Sequence, residues 1–184
     1  MSNITKRAMA QSLKKILVVK ELDKITITDI TNDCGINRQT FYYHFKDIYD
    51  LLEWIFANDV VEKIEKETTI ETWQDNFKYV LDYMLKNKKF IIKTYNSLSR
   101  KTLLDFLFNQ YNTIFIEIVN DLSKNYNITK ENKIFIANFY KYGFAGIIEN
   151  WIVTEMKESP ESIIKKLDVM ISGNFEEAVR KMSN

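Results

Sequence analysis

The stretch that most constrains this chain runs from Thr26 to Lys46, T-I-T-D-I-T-N-D-C-G-I-N-R-Q-T-F-Y-Y-H-F-K. It reads as two short helices joined by a tight turn. Thr26 is placed to cap the first helix through its side-chain oxygen, and Asp29, three residues on, suits the positive end of the helix dipole. Ile27, Ile30 and Cys34 recur at helical spacing and predict one buried face. Gly35 supplies the permissive backbone that ends a helix, with Ile36 plugging the turn. Asn37 then caps a second helix, Arg38 to Phe45, anchored inward by Phe41 and Phe45. Arg38, Gln39, Thr40, Tyr43 and His44 are left facing out, with Tyr42 on the flank. Such a row of groups able to bond base edges or phosphates predicts a helix-turn-helix whose second helix reads DNA.

Composition agrees with a helical chain. Four Gly and one Pro in 184 residues leave little to punctuate strands. The single Cys excludes an internal disulfide and a cysteine zinc cluster, so Cys34 reads as a small packed thiol. The start carries charge with no apolar core behind it, and no run reaches the roughly 18 apolar residues of a membrane span, so the expected location is cytoplasmic with no membrane partner. The net charge of +1 divides unevenly. Residues 1–46 hold eight basic and four acidic side chains, a surplus of +4, against 18 and 21 in the remainder, or −3. That asymmetry suits phosphate attraction confined to one end.

Around this stretch the apolar periodicity predicts further helices. Residues 4–22 form a first helix with Ala8, Leu13, Ile16, Leu17 and Leu22 on its inner face; Lys6 and Arg7 at its start are within reach of a DNA backbone. Asp47 caps a long fourth helix running through Leu51, Leu52, Ile55, Phe56 and Val60 to Ile64. Five more follow: Thr72 to Asn87, Phe90 to Leu98, Lys101 to about Asn125, Lys130 to Lys157 behind the cap Thr129, and one behind Ser159-Pro160 that ends near Met182. The fold class is therefore all-α, with a three-helix DNA-binding head at 1–46 and a larger helical body at 47–184. In the body, aromatic residues including Trp73, Phe77, Tyr111, Phe115, Phe139, Phe144 and Trp151 are dense enough to line an effector cavity, though plain core accounts for most such stripes. Gly143 and Gly146 flank Ala145 in an otherwise apolar run and favour close helix–helix packing, within the chain or against a second copy.

The run I-T-D-I-T-N-D-C-G-I-N-R-Q-T-F-Y-Y-H-F-K, followed by Leu51-Leu52, resembles the N-terminal domain of the TetR family of transcriptional regulators. Arg38-Gln39-Thr40-Phe41-Tyr42, Trp54-Ile55-Phe56 and Asn58-Asp59 are similar to a subgroup that includes regulators of dihydroxyacetone kinase operons. The resemblance covers about the first quarter of the chain. It departs at Glu21, where a Gly often closes the first helix, at Thr31, where Ala is usual, and at Ile48, where many members place a phosphate-contacting Lys. The resemblance implies a homodimer on a palindromic double-stranded operator, paired through the last two helices. It also implies control by a small-molecule effector or a co-regulator protein, relayed by the fourth helix. By the family's pattern Arg38 meets guanine, Gln39 adenine, and Thr40 a thymine methyl or phosphate, while Tyr43 lies against a methyl or sugar. Tyr42, His44, Lys46 and Thr28 hold phosphates.

Catalytic signals are few. His44 is the only histidine, which denies the chain a Ser-His-Asp set or a histidine metal site of its own, and no phosphate loop or dinucleotide fingerprint occurs. No cofactor is expected. The competing class is a dimeric ligand- or protein-binding module whose head no longer reads sequence.

Overall fold

The computed structural model describes residues 2–60, 69–97 and 100–183, and every regular element within them is helical. The expected continuation of the fourth helix to Ile64 and the expected helix end at Leu98 lie outside the described residues. None of the described helices is long and apolar enough to cross a membrane. The chain packs as two compact units, one holding Met1–Lys63 and Asn87–Phe106, the other Ile64–Lys86 and Leu107–Asn184.

The first unit contains α1 (Ser2–Val19), a 3-10 turn at Leu22–Lys24, α2 (Ile27–Cys34), α3 (Arg38–His44), α4 (Ile48–Asp59) and α6 (Lys88–Tyr95). Met9, Leu13 and Leu17 of α1 are buried with Ile30, Phe41, Phe45, Leu51, Leu52 and Ile55. Ala8 and Ile16, expected on the same face, are only half-buried, and Leu22 enters the core from the 3-10 turn rather than from α1. The buried Ser12 hydroxyl donates to the Ile30 carbonyl at 3.4 Å, tying α1 to α2. Lys14 and Lys15 of α1 and Lys20 just beyond its end are consumed by ion pairs: Lys14 with Asp59, Lys15 with Asp33 at 2.5 Å and Lys20 with Asp29 at 2.6 Å. Much of the basic surplus counted along this segment therefore orients helices. Packing groups α4 and α6 with the first three helices, Phe56 and Phe90 lying 5.6 Å apart. Glu21, at the position where a glycine was noted as usual, instead pairs with Lys93 of α6 at 3.3 Å.

The second unit contains α5 (Trp73–Lys86), the larger part of α7 (Arg100–Leu122), α8 (Lys130–Val153), α9 (Pro160–Ile171) and α10 (Asn174–Lys181). Thr129 caps α8 by accepting from the Asn132 N–H at 3.2 Å, and Ser159 caps α9 by accepting from Ser162 N–H at 3.2 Å. Two expectations fail here. Helix α8 stops at Val153, four residues before Lys157, because Glu155 and Met156 take positive φ (57° and 49°). The Met156 N–H turns back to the Trp151 carbonyl at 2.7 Å while its side chain is buried. The single helix expected from Pro160 to Met182 is two, divided at Ser172–Gly173, where Gly173 adopts φ 77°. Ile163, Leu167, Ile171, Phe175 and Val179 are all buried at a spacing of four, so the apolar period runs straight through the break and hides it.

Candidate nucleic-acid interface

Local caps build the helix-turn-helix. Thr26 accepts from the Asp29 N–H at 3.2 Å, while Asp29 accepts from the Thr26 N–H at 2.7 Å, a reciprocal box that satisfies two orphan donors. Gly35 sits at φ 66°, in the left-handed region, and the following Ile36 N–H closes on the Thr31 carbonyl at 3.0 Å. Asn37 Oδ1 accepts from both the Thr40 N–H at 2.8 Å and the Thr40 hydroxyl at 3.0 Å. Phe41 and Phe45 are buried, which fixes the roll of α3 about its own axis. Thr31, the departure from alanine, is buried with its hydroxyl returned to the Thr28 carbonyl at 3.3 Å, so the polar group is met within its own helix.

Asp29 also accepts from Lys20 Nζ, and this bond, then those from Thr26, hold its carboxyl down to about 2, below the usual 3.8. A depressed folded-state pKa contributes stability that is present above the unfolded value and lost as the pH falls through the folded one. Wild-type stability should therefore decline between about pH 4 and 2 more steeply than that of Asp29→Asn, as read by urea denaturation at stepped pH.

On this frame Arg38, Gln39, Tyr42, Tyr43, Lys46 and Thr28 are exposed, Tyr43 to 83%. A tyrosine so far in solvent contributes little to the fold, and its ring is available to a partner. Thr40 and His44 are half-buried: the Thr40 hydroxyl is engaged by the cap, and the His44 ring lies edge-on to Tyr43 with centroids 4.9 Å apart. Lys46 donates its backbone N–H to Asp50 at 2.8 Å, leaving its ammonium exposed. Ile48 is half-buried and brings no charge to the start of α4. Cys34 is half-buried rather than fully packed, and burial pushes its thiol pKa up, which favours an inert thiol over a thiolate.

Sequence reasoning missed one feature of this unit. Lys6 Nζ lies 5.4 Å from the Phe45 ring centre and 5.9 Å from that of Trp54, so it is held on an aromatic shelf next to the end of α3. Only the fold brings residues 6, 45 and 54 together, and no local pattern announces it.

In the second unit a different surface stands out. Phe135, Phe139 and Tyr142 of α8 are exposed to more than 60%, together with Val169 and Met170 of α9. Phe139, Tyr142, Gly143, Ile147 and Met170 border an open, largely apolar groove of about 570 Å³. Beyond α8 itself, no described atom of the chain lies within 4 Å of where a side chain on Gly143 or Gly146 would begin. The close approach those glycines permit is not used among the described residues.

An all-helical chain with a capped N-terminal helix-turn-helix and a helical C-terminal region is the arrangement of one class of bacterial regulators, and comparison confirms the class. Residues 71–173 match the TetR-type family described as "Transcriptional regulator C-terminal region", and the chain belongs to the TetR family of transcriptional regulators. Over 154 residues, 83% of this chain and 81% of the relative, it is 27% identical to the HTH-type dhaKLM operon transcriptional activator DhaS of Lactococcus lactis subsp. lactis (strain IL1403). A solved structure of a dihydroxyacetone kinase operon activator DhaS superposes with a TM-score of 0.73 at 24% identity, covering 98% of this chain and 99% of that one. NalD, the secondary repressor of the MexAB-OprM multidrug efflux pump in Pseudomonas aeruginosa, superposes at 0.54 and 13% identity over 100% and 99% of the two chains.

Proposed function

We propose that this protein is a homodimeric, sequence-specific DNA-binding regulator that reads a two-fold-symmetric operator with α3 and is controlled through its body. The observation that carries the reading is the outer face of α3. A helix of seven residues, rigidly capped and anchored by two buried phenylalanines, spends its whole exposed surface on Arg38, Gln39, Tyr42 and Tyr43. Arg38 is assigned to guanine O6 and N7 and Gln39 to adenine, with Tyr43 against a thymine methyl or the sugar wall. Tyr42, His44, Lys46 and Thr28 are assigned to phosphates. Thr40 joins the base or phosphate contacts only if its hydroxyl leaves Asn37, which gives it a smaller share. With Ile48 in place of a lysine, one backbone contact per half-site is absent from the set.

A helix this short reads few base pairs, so two copies are needed, and the apolar groove of α8 and α9 is the surface on which they would meet. Similarity to an activator over most of both chains supports activation as the mode, with a small molecule or a second protein as the signal.

The test is selection from a random DNA pool by the purified protein at physiological salt. A two-fold-symmetric motif is the expected result. Enrichment of no sequence, with no binding even at low salt, would sink the DNA reading and favour the module whose head no longer reads sequence.

A further inference from the structure

An amide buried without a protein partner stands in the first unit. Asn58 of α4 is 8% exposed, and no hydrogen bond joins its side chain to any described residue. Such a group carries two donors and an acceptor, and buried polar atoms are ordinarily met. Asn58 lines a groove of about 300 Å³ between α1 and α4, open as it stands and at the lower end of the size of small-molecule sites. Only an occupant of that groove can meet the amide.

One wall comes from α1. Arg7, Ala10, Gln11 and Lys14 stand three or four residues apart and so share one face of that helix. Ala10 is buried in the middle of the row, and its short side chain leaves the hollow between longer neighbours. On α4, Trp54 lies one turn before Asn58 and brings a half-buried indole to the same groove.

The charges lining the groove do not cancel. Lys14 is answered by Asp59, another lining residue, and its ammonium lies 5.5 Å from the Phe90 ring centre. Arg7 has no carboxylate partner among the described residues. One positive charge therefore remains beyond the ion pair, carried by a planar fork of donors that matches a carboxylate.

We infer that the groove between α1 and α4 is a binding site for a small flat carboxylate, its oxygens shared by Arg7 and Asn58 and its ring laid against Trp54. A neutral amide of the same shape would leave the guanidinium unanswered, and a phosphate would offer nothing to the indole. The site belongs to the helix-turn-helix unit and does not rest on the control through the body proposed above.

Ligand-observed NMR titration of the intact protein, without DNA, with benzoate, benzamide and inorganic phosphate is the test. Benzoate should bind the wild type about tenfold more tightly than either of the others. Asn58→Leu keeps the volume and removes the amide, so it should weaken benzoate by about tenfold, the worth of a hydrogen bond to a charged group. Its urea midpoint should hold or rise, because no contact within the protein is lost. Arg7→Gln should bring benzoate down to the level of benzamide, and Ala10→Leu, which fills the hollow, should remove the binding of both. Absence of benzoate binding at millimolar concentration would overturn the inference. So would benzoate binding unchanged by Asn58→Leu and Arg7→Gln, or phosphate binding as tight as benzoate, which would reduce the groove to a patch of charge. A lowered urea midpoint for Asn58→Leu would also overturn it, since the amide would then serve the fold.

Discussion

Phe139→Glu should convert the proposed dimer to a monomer and cut operator affinity by about a hundredfold or more. Phe139 is 69% exposed in the single chain, so the fold does not depend on it, and a surface change of this kind costs the monomer within about 0.5 kcal/mol. The same position lies on the groove edge with Tyr142, Ile147 and Met170, and in the proposed dimer a carboxylate there would be stripped of water opposite an apolar surface. The loss on DNA follows from linkage. Two heads joined in one molecule convert the second half-site into an intramolecular event, an advantage of about 10²–10⁴ that two separate monomers forfeit. Sedimentation equilibrium would show the change of mass, and titration of the selected operator would show the change of affinity. Gly146→Leu supplies an independent arm. Nothing in the described chain beyond α8 obstructs a side chain at that position, and leucine is the better helix former, so the monomer should hold or gain stability while a close helix crossing is blocked. A Phe139→Glu protein that remains dimeric would place the two-fold axis on another surface.

What the sequence disclosed and what it hid divide by range. Thr26, Asn37, Asp47, Thr129 and Ser159 each announced a helix start, and each accepts the expected backbone N–H two or three residues into its helix. Capping is decided within four residues, so a linear reading contains it. Gly35 was legible for the same reason. By contrast the four-residue apolar spacing from Ile163 to Val179 reports burial and not continuity, because the chain can bend at Gly173 and keep the same face inward. The stop at Glu155 and Met156 uses positive φ on residues that rarely adopt it, which no propensity foretells. Aromatic density suggested a cavity, yet only the fold shows that Tyr111 meets Phe144 while Phe139, five residues before it, stands in solvent. The lysines at 14, 15 and 20 illustrate the same limit for charge. Their count favours phosphate, but Asp29, Asp33 and Asp59 claim three of them, and those partners are 9, 18 and 45 residues away.

On the proposed reading the head is left with a few cations to contact DNA, and two of them should fail in different ways. Arg38→Ala should cost about 1–3 kcal/mol per half-site on the selected operator and relax base preference at one position of each half. Arg38 opens α3 as an exposed residue, and a guanidinium there would present two parallel donors to a guanine edge, a match that no other base offers. Lys46→Ala should instead weaken all sequences to a similar degree and flatten the dependence of log K on log salt by about one unit per half-site, because a point charge on a phosphate releases a counterion and reads nothing. Both side chains lie outside the core, so neither change should lower the melting temperature noticeably. Competition against operators mutated one base at a time, run at several salt concentrations, separates the two signatures. Equal losses on every sequence from both variants would remove Arg38 from the base-reading set and leave Gln39 and Tyr43 to carry it. Loss of preference at one base pair with Arg38→Ala, together with an unchanged salt slope, would fix the register of α3 in the groove, since residue 38 stands at the first position of a helix whose roll is already set by Phe41 and Phe45.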